Sequence, residues 1–274
     1  MPELPEVETT LRGIETVVSG EKIAKITVRQ PRLRWPIPEA ELQQQLVGAP
    51  VTALTRRAKY ILWHSEQGVM LMHLGMSGSL RILPEDEPAG KHDHVDIVME
   101  SGSLIRFNDP RRFGALLWLP ATEPYEAHSL LARLGPEPLG DQFSGAKLYA
   151  QSRGKKGAVK NFIMDQSVVV GVGNIYASES LFRAGILPTR PAGKVSKAKY
   201  LQLAEAIRAV LTASIEQGGT TLRDFHGSDG KPGYFVQSLS VYGRAGEACP
   251  SCGAQVQKRV VGQRSTFFCK VCQR

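Results

Sequence analysis

Cysteine is scarce: the 274 residues hold four, all confined to the last stretch of the chain from Cys249 to Cys272. A disulfide scaffold running through the chain is therefore excluded. No apolar run approaches about 18 residues, so no membrane-spanning helix is expected. The first residues lack the Lys or Arg that opens a secretory signal and carry Glu3, Glu6 and Glu8 instead, which points to the reducing cytoplasm. Internal repeats and low-complexity tracts are missing, which sets solenoids and arrays aside. Acidic residues nearly vanish at the end: Arg244–Arg274 carries Arg244, Lys258, Arg259, Arg264, Lys270 and Arg274 against Glu247 alone.

Hydrophobic content of 42% and charged content of 22% are those of a globular protein. The length suits two ordinary domains plus a small metal module, burying roughly 70–75% of the unfolded surface. The net charge of +8 raises the odds of a polyanionic partner.

Apolar residues at Leu4, Val7, Leu11, Ile14 and Val17 recur at helical spacing, with Pro5 suited to the first turn. Short β-like runs follow at 22–28, 51–54, 60–64, 69–74, 95–100 and 104–108, and predict a β-sandwich. The Pro/Gly-rich stretch Leu134–Gly140 marks a hinge before the pattern turns helical, with helices expected over 175–184 and 196–217. The expected fold is α+β and multidomain: a sandwich over 1–133, a linker over 134–150, a helical domain over 151–243 and a metal-held hairpin over 244–274.

Two Cys-x-x-Cys pairs, Cys249/Cys252 and Cys269/Cys272, have the spacing of a closed tetrahedral zinc site built from two knuckles. A disulfide pair is the alternative, but cysteines so arranged in an intracellular chain favour zinc; such a closed site leaves no open position, so one structural Zn²⁺ is expected, fixing a hairpin that carries Lys258 and Arg264. At the other end, removal of Met1 would turn Pro2 into a secondary amine able to form an iminium with a sugar aldehyde. An α-amine has a pKa near about 8, and an adjacent helix N-terminus disfavours its charged form. Glu3 would then donate or relay the proton, with Glu6 one turn away to orient or cap; an ordinary acidic helix start fits the same residues. Lys59 follows a basic cluster, Arg56-Arg57, that fits either phosphate contact or a solvated surface. Met76 and Phe113 lie in Gly-flanked loops and suit either a wedge between bases or a side chain folded onto the core. Gly171-Val172-Gly173-Asn174 fits a phosphate-binding helix start or a turn capped by Asn174, and lacks the third glycine of a dinucleotide fingerprint.

Taken together, Pro2-Glu3-Leu4-Pro5-Glu6, Arg57-Ala58-Lys59-Tyr60, His73–Gly78, Lys91–Val95, Asp109–Gly114, Gly171–Ala177 and the four-cysteine hairpin resemble formamidopyrimidine-DNA glycosylase over essentially the whole chain. The resemblance implies an N-terminal β-sandwich with flanking helices, a helix–two-turn–helix domain containing Asn174, and a zinc-finger β-hairpin, with DNA across the cleft between them. It implies a monomeric bacterial base-excision-repair enzyme, at the nucleoid, that removes 8-oxoguanine and formamidopyrimidines from duplex DNA.

By the same resemblance Pro2 is the nucleophile at C1′, Glu3 the proton donor, Lys59 the residue of β-elimination and Arg264 that of δ-elimination. Met76, Arg111 and Phe113 match the trio that fills the gap left by the everted nucleotide. His92, Lys155, Asn174 and Arg264 are expected to contact DNA largely through phosphates, with Lys258 beside them. Residues Gly219-Thr220-Thr221-Leu222-Arg223 resemble the loop that covers the base. The relatives resembling endonuclease VIII, which prefer oxidised pyrimidines, usually carry glycine where this chain has Leu4. A catalytically silent damage-binding protein and a zinc-ribbon RNA-binding module are the readings from other classes.

Overall fold

The computed structural model describes residues 2–219 and 239–274. They form two compact units, one of residues 2–132 with 217–219 and one of residues 133–216 with 239–274. In the first, helix α1 (Leu4–Val18) starts at Glu3 as N-cap, carries Pro5 in its first turn and buries Leu4, Val7, Leu11 and Ile14. The buried stripe closes on Val18 while Val17 is half-buried, because the helical period of 3.6 carries the last turn one residue on.

Eight antiparallel strands follow: β1 (Ile23–Val28), β2 (Ala53–Arg57), β3 (Tyr60–Ser65), β4 (Gly68–His73), β5 (Ser79–Pro84), β6 (Asp93–Met99), β7 (Ser103–Asn108) and β8 (Ala115–Pro120). They form two four-stranded sheets, ordered β1-β6-β7-β5 and β2-β3-β4-β8. Both sheets feed one core: Ile26, Val95, Ile97 and Phe107 come from the first and Ile61, Trp63, Met70 and Leu116 from the second, with α1 against them. This is the expected sandwich. Strands β5 and β8 and the short helix α2 (Glu39–Leu46), which buries Leu42 and Leu46, were not anticipated.

One buried ion network stiffens the β1-β6-β7-β5 sheet. Arg106, 2% exposed, donates through Nε and Nη2 to the two carboxylate oxygens of Asp96 at 2.8 and 2.9 Å. Its remaining N–H groups bind the carbonyls of Glu87 and Pro88, so strand β7 holds the loop that leads to Lys91 and His92. Asp93 takes Arg81 at 2.6 Å, Asn108 at 2.7 Å and the Gly90 N–H at 2.8 Å. Burial pushes both aspartates toward the neutral form, and these hydrogen bonds and charges outweigh it, so both pKa values fall below the usual carboxylate range.

The second unit is helical, with α3 (Gly145–Ser152), α4 (Val159–Met164), α5 (Asn174–Arg183) and α6 (Lys197–Glu216). Helix α6 buries Tyr200, Ala204, Ile207, Leu211 and Ile215, the face its periodicity marks. Where the sequence reads a linker over 134–150, α3 already begins at Gly145. Gly135 N–H bonds Gln166 O at 2.7 Å, and the Arg208 guanidinium spans the carbonyls of Pro138, Gly140 and Phe143. Bonds that distant residues supply tie the Pro/Gly stretch down. The unit ends in the hairpin β9 (Gln257–Val261) and β10 (Arg264–Phe268). No described helix is long and apolar enough to cross a membrane.

Removing Arg106 would leave two buried aspartates that Arg29 and Arg81 only partly compensate. Arg106→Ala should therefore destabilise the protein by about 3 kcal/mol in urea unfolding, the low end for breaking a buried ion pair; a change under about 0.5 kcal/mol would refute the network's role.

Candidate active site

The chain start is held by its own helix. Glu6, the third residue of α1, closes a capping box with Glu3, its Oε2 accepting the Glu3 N–H at 2.8 Å. Pro2, Glu3 and Glu6 are all buried, and Gly219 packs against the Glu6 side chain. Helix α1 is pinned to strand β2 by Arg56 Nε donating to Glu8 Oε2 at 2.7 Å, while Glu8 Oε1 takes Arg12 at 2.9 Å. Burial disfavours the Glu8 carboxylate, but the hydrogen bonds and charges of Arg56 and Arg12 more than offset this and leave its pKa lowered. Strand β2 ends at Arg57, Ala58 turns with φ of 54°, and half-buried Lys59 follows before β3. The Arg56–Glu8 pair thus couples the helix that carries Pro2 to the hairpin that carries Lys59.

Next to that hairpin, Tyr60 pairs across the sheet with His73, their rings 5.0 Å apart. Burial first, then the charges of Lys59 and Arg34, push the His73 pKa down to about 4. The ring is accordingly neutral near pH 7, and its Nδ1 accepts the Gly75 N–H at 2.9 Å, shaping the turn into Met76. Met76 is half-buried, whereas Phe113 is 46% exposed with the Arg111 guanidinium 5.1 Å from its ring centre. His92 is half-buried beside His94. Phe113 is therefore not folded onto the core. An exposed phenylalanine under a cation leaves a flat apolar face available to a base.

In the second unit Asn174 is the first residue of α5, and Gly173, not Asn174, is its N-cap. The Asn174 amide bridges the helix start to the hairpin: Nδ2 donates to Ser265 O at 2.9 Å, and Oδ1 accepts from Lys160 Nζ. Lys160 is 0% exposed and also donates to Thr266 Oγ1 at 2.7 Å. This buried lysine was missed in the sequence, where it sits inconspicuously in a short apolar helix. So was Glu179, whose carboxylate accepts the backbone N–H groups of Ser240, Val241 and Tyr242 at 2.8–2.9 Å. Lys155 is exposed in the loop between α3 and α4.

Gly262 and Gln263, with φ of 58° and 61°, make the tight turn of the hairpin, which places exposed Arg264 at the first position of β10 and exposed Lys258 on β9. The four cysteine sulfurs lie within 4.8 Å of one another. Sγ separations of 3.9 Å (Cys249–Cys272) and 3.5 Å (Cys252–Cys269) bracket the edge of about 3.8 Å that a tetrahedron with Zn–S bonds of about 2.3 Å requires. They are far beyond a disulfide bond of about 2.05 Å. The donor set fits one structural zinc, held by these four thiolates. Residues Thr220–Arg223 of the expected base-covering loop lie outside the described residues.

Three family models match the chain: the formamidopyrimidine-DNA glycosylase N-terminal domain over residues 1–116, the H2TH domain of the same glycosylase over 134–226, and the zinc finger found in FPG and IleRS over 246–274. The formamidopyrimidine-DNA glycosylase of Magnetococcus marinus is 64% identical over 274 residues, covering all of both chains. Among solved structures, Lactococcus lactis Fpg in complex with DNA containing an abasic site superposes with a TM-score of 0.91 at 31% identity, covering 100% of each chain. MutM in complex with DNA containing carbocyclic 8-oxo-G gives 0.90 at 32%, again over 100% of each. The chain belongs to the formamidopyrimidine-DNA glycosylase family.

Proposed function

We propose that this protein is a DNA glycosylase and abasic-site lyase of base excision repair, acting on 8-oxoguanine and formamidopyrimidines in duplex DNA in the bacterial cytoplasm. The observation that carries the reading is the immobilised chain start: Glu3 and Glu6 lock the backbone behind Pro2, and Arg56–Glu8 couples that helix to the Lys59 hairpin. Once Met1 is removed, the Pro2 nitrogen attacks C1′ and the bond from C1′ to the base breaks. Glu3 supplies the proton that lets the sugar ring open, leaving a protein–sugar iminium. Loss of the C2′ proton, with Lys59 as base, then expels the 3′ phosphate. Loss of the C4′ proton expels the 5′ phosphate, with Arg264 at that step, and water hydrolyses the iminium to free the amine.

Met76, Arg111 and Phe113 fill the space of the everted nucleotide, with Arg111 facing the orphaned cytosine; the exposure of Phe113 under Arg111 supports this role. His92, Lys155, Lys258, Arg264 and the α5 start at Asn174 bind phosphates, which orients the duplex without reading sequence. Cys249, Cys252, Cys269 and Cys272 would hold a zinc that supplies no reaction chemistry but fixes the hairpin, whose apolar core of Val241, Cys249, Val256, Phe267 and Cys269 is too small to fold alone.

Borohydride should trap a covalent adduct between the protein and an 8-oxoguanine:cytosine duplex, and an N-terminal extension that places the Pro2 nitrogen in a peptide bond should abolish it. An adduct that survives the extension sinks the mechanism. Affinity for undamaged duplex should fall linearly on a log–log salt plot, and Lys155→Ala should flatten the slope by about 0.9, one phosphate's worth. A salt-independent affinity would contradict phosphate binding. Chelating zinc should abolish duplex binding while hydrogen-exchange protection of β3, β4, β6 and β7 persists; undiminished binding after verified metal loss would remove the hairpin from the DNA interface.

A further inference from the structure

We infer that Asp109 is a positioning residue for base eversion: its buried carboxylate ties the Met76 and Phe113 loops into one rigid block. The inference rests on the wedge role proposed above for those side chains. Asp109 is 0% exposed and stands at the end of β7, just before Pro110 and Arg111. Its Oδ1 accepts the Ser77 hydroxyl at 2.9 Å, from the residue next to Met76. Its Oδ2 accepts the Gly114 N–H at 2.7 Å, from the residue next to Phe113. One carboxylate therefore holds the immediate neighbours of both wedge residues, across 32 positions in sequence on one side.

The backbone of Asp109 extends the same knot. Its N–H donates to His92 O at 3.0 Å, and its carbonyl accepts from Arg112 N–H at 3.2 Å and from His94 Nε2 at 2.8 Å. The carbonyl has no proton to give, so His94 carries its hydrogen on Nε2. The two loops also meet backbone to backbone. A Cβ on Gly75, whose φ is 69°, would lie 2.4 Å from Gly114 N, and one on Gly114 would lie 2.6 Å from the Phe107 ring and 3.0 Å from Asp109 Oδ2. Neither glycine tolerates a side chain, and the Asp109 bonds join the loops beside the Phe107 ring, which packs against Gly78 of one loop and Gly114 of the other. A wedge must resist the restacking of bases that costs a few kcal/mol to open. Short loops resist such a load only when their ends are fixed, and Asp109 fixes both.

Stopped-flow fluorescence of 2-aminopurine placed beside 8-oxoguanine in a duplex reads eversion, and single-turnover cleavage reads excision. Trapping on a single-stranded abasic oligonucleotide, which has no stacked partner to wedge, reads the amine alone. In the full-length zinc-bound protein, Asp109→Ala should slow eversion and excision about tenfold or more, as small misplacements do, while leaving single-strand trapping unchanged. Asp109→Asn should restore most of the rate, because its amide oxygen can take the Gly114 N–H while its Nδ2 donates to Ser77 Oγ. Wild-type eversion in Asp109→Ala, or equal loss on the single strand, overturns the inference. If Asp109→Ala does not fold, Ser77→Ala, which removes one tie, should slow eversion about threefold; a wild-type rate there also overturns it. Met76→Ala separates the two ideas: if it leaves eversion unchanged the wedge reading itself fails, and if it slows eversion while the Asp109 and Ser77 variants do not, only the positioning role is lost.

Discussion

The hydrogen bond from Glu3 N–H to Glu6 Oε2 is the constraint on which the proposed chemistry depends. The first residues of a domain fray unless something ties them down, and a nucleophile on a fraying end would lose the advantage of orientation. Here a helix start does the tying. Its N-terminal N–H groups are satisfied by the capping box of Glu3 and Glu6, so the proton donor proposed for the chemistry is also a cap of the helix. Arg56 then carries the order outward, from α1 to β2 and the Ala58 turn that precedes Lys59, through an ion pair whose side chains are mostly buried.

A parallel solution operates in the second unit with charge of the opposite sign. Lys160 is fully buried, a costly place for an ammonium unless oxygens surround it. Asn174 Oδ1, Thr266 Oγ1 and Ser265 O provide them, and in doing so they bind the start of α5 to strand β10 of the hairpin. Gln273 adds a second seam, accepting from Cys269 N–H at 2.9 Å and donating to Ile186 O at 2.8 Å. A zinc held by the four cysteines would shape the knuckles, while Lys160 and Gln273 tie the segment that carries Arg264 to the helices.

The sequence disclosed what depends on local spacing. Helices α1 and α6 follow from apolar periodicity, and the zinc knuckles from the spacing of the four cysteines, because each signal lies within a few residues. Strands β5 and β8 escaped notice: β5 follows a Gly-rich loop directly and β8 is a nearly continuous apolar run without alternation. Lys160, Glu179 and Asp109 were illegible for another reason. Each has partners far along the chain, up to 106, 63 and 32 residues away, and nothing in a local window distinguishes a buried, satisfied polar residue from a solvated one. Motif resemblance supplied the roles of Met76, Arg111 and Phe113, but the hub between their loops had to come from the fold.

Backbone strain marks the same places independently. Among the described residues, Ala58, Arg112 and Gln263 are the non-glycine residues with positive φ, at 54°, 54° and 61°. Each adjoins a residue assigned to the chemistry or the wedge: Ala58 precedes Lys59, Arg112 lies between Arg111 and Phe113, and Gln263 precedes Arg264. A left-handed conformation costs a non-glycine residue about 1–2 kcal/mol and persists only where its surroundings over-determine it. Those surroundings are visible. Ala58 O accepts from Arg56 Nη1 at 2.9 Å, and Arg112 N–H is held by Asp109 O at 3.2 Å. Gly262, preceding Gln263, abuts the Asn161 side chain. A tight reversal projects the next side chain outward from a fixed base, which a longer relaxed loop would not do. The three strained turns and the residues they present were identified on separate grounds, geometry for the turns and sequence motif for the residues, and their coincidence argues that the fold spends stability to hold Lys59, Arg111, Phe113 and Arg264 in position before DNA arrives.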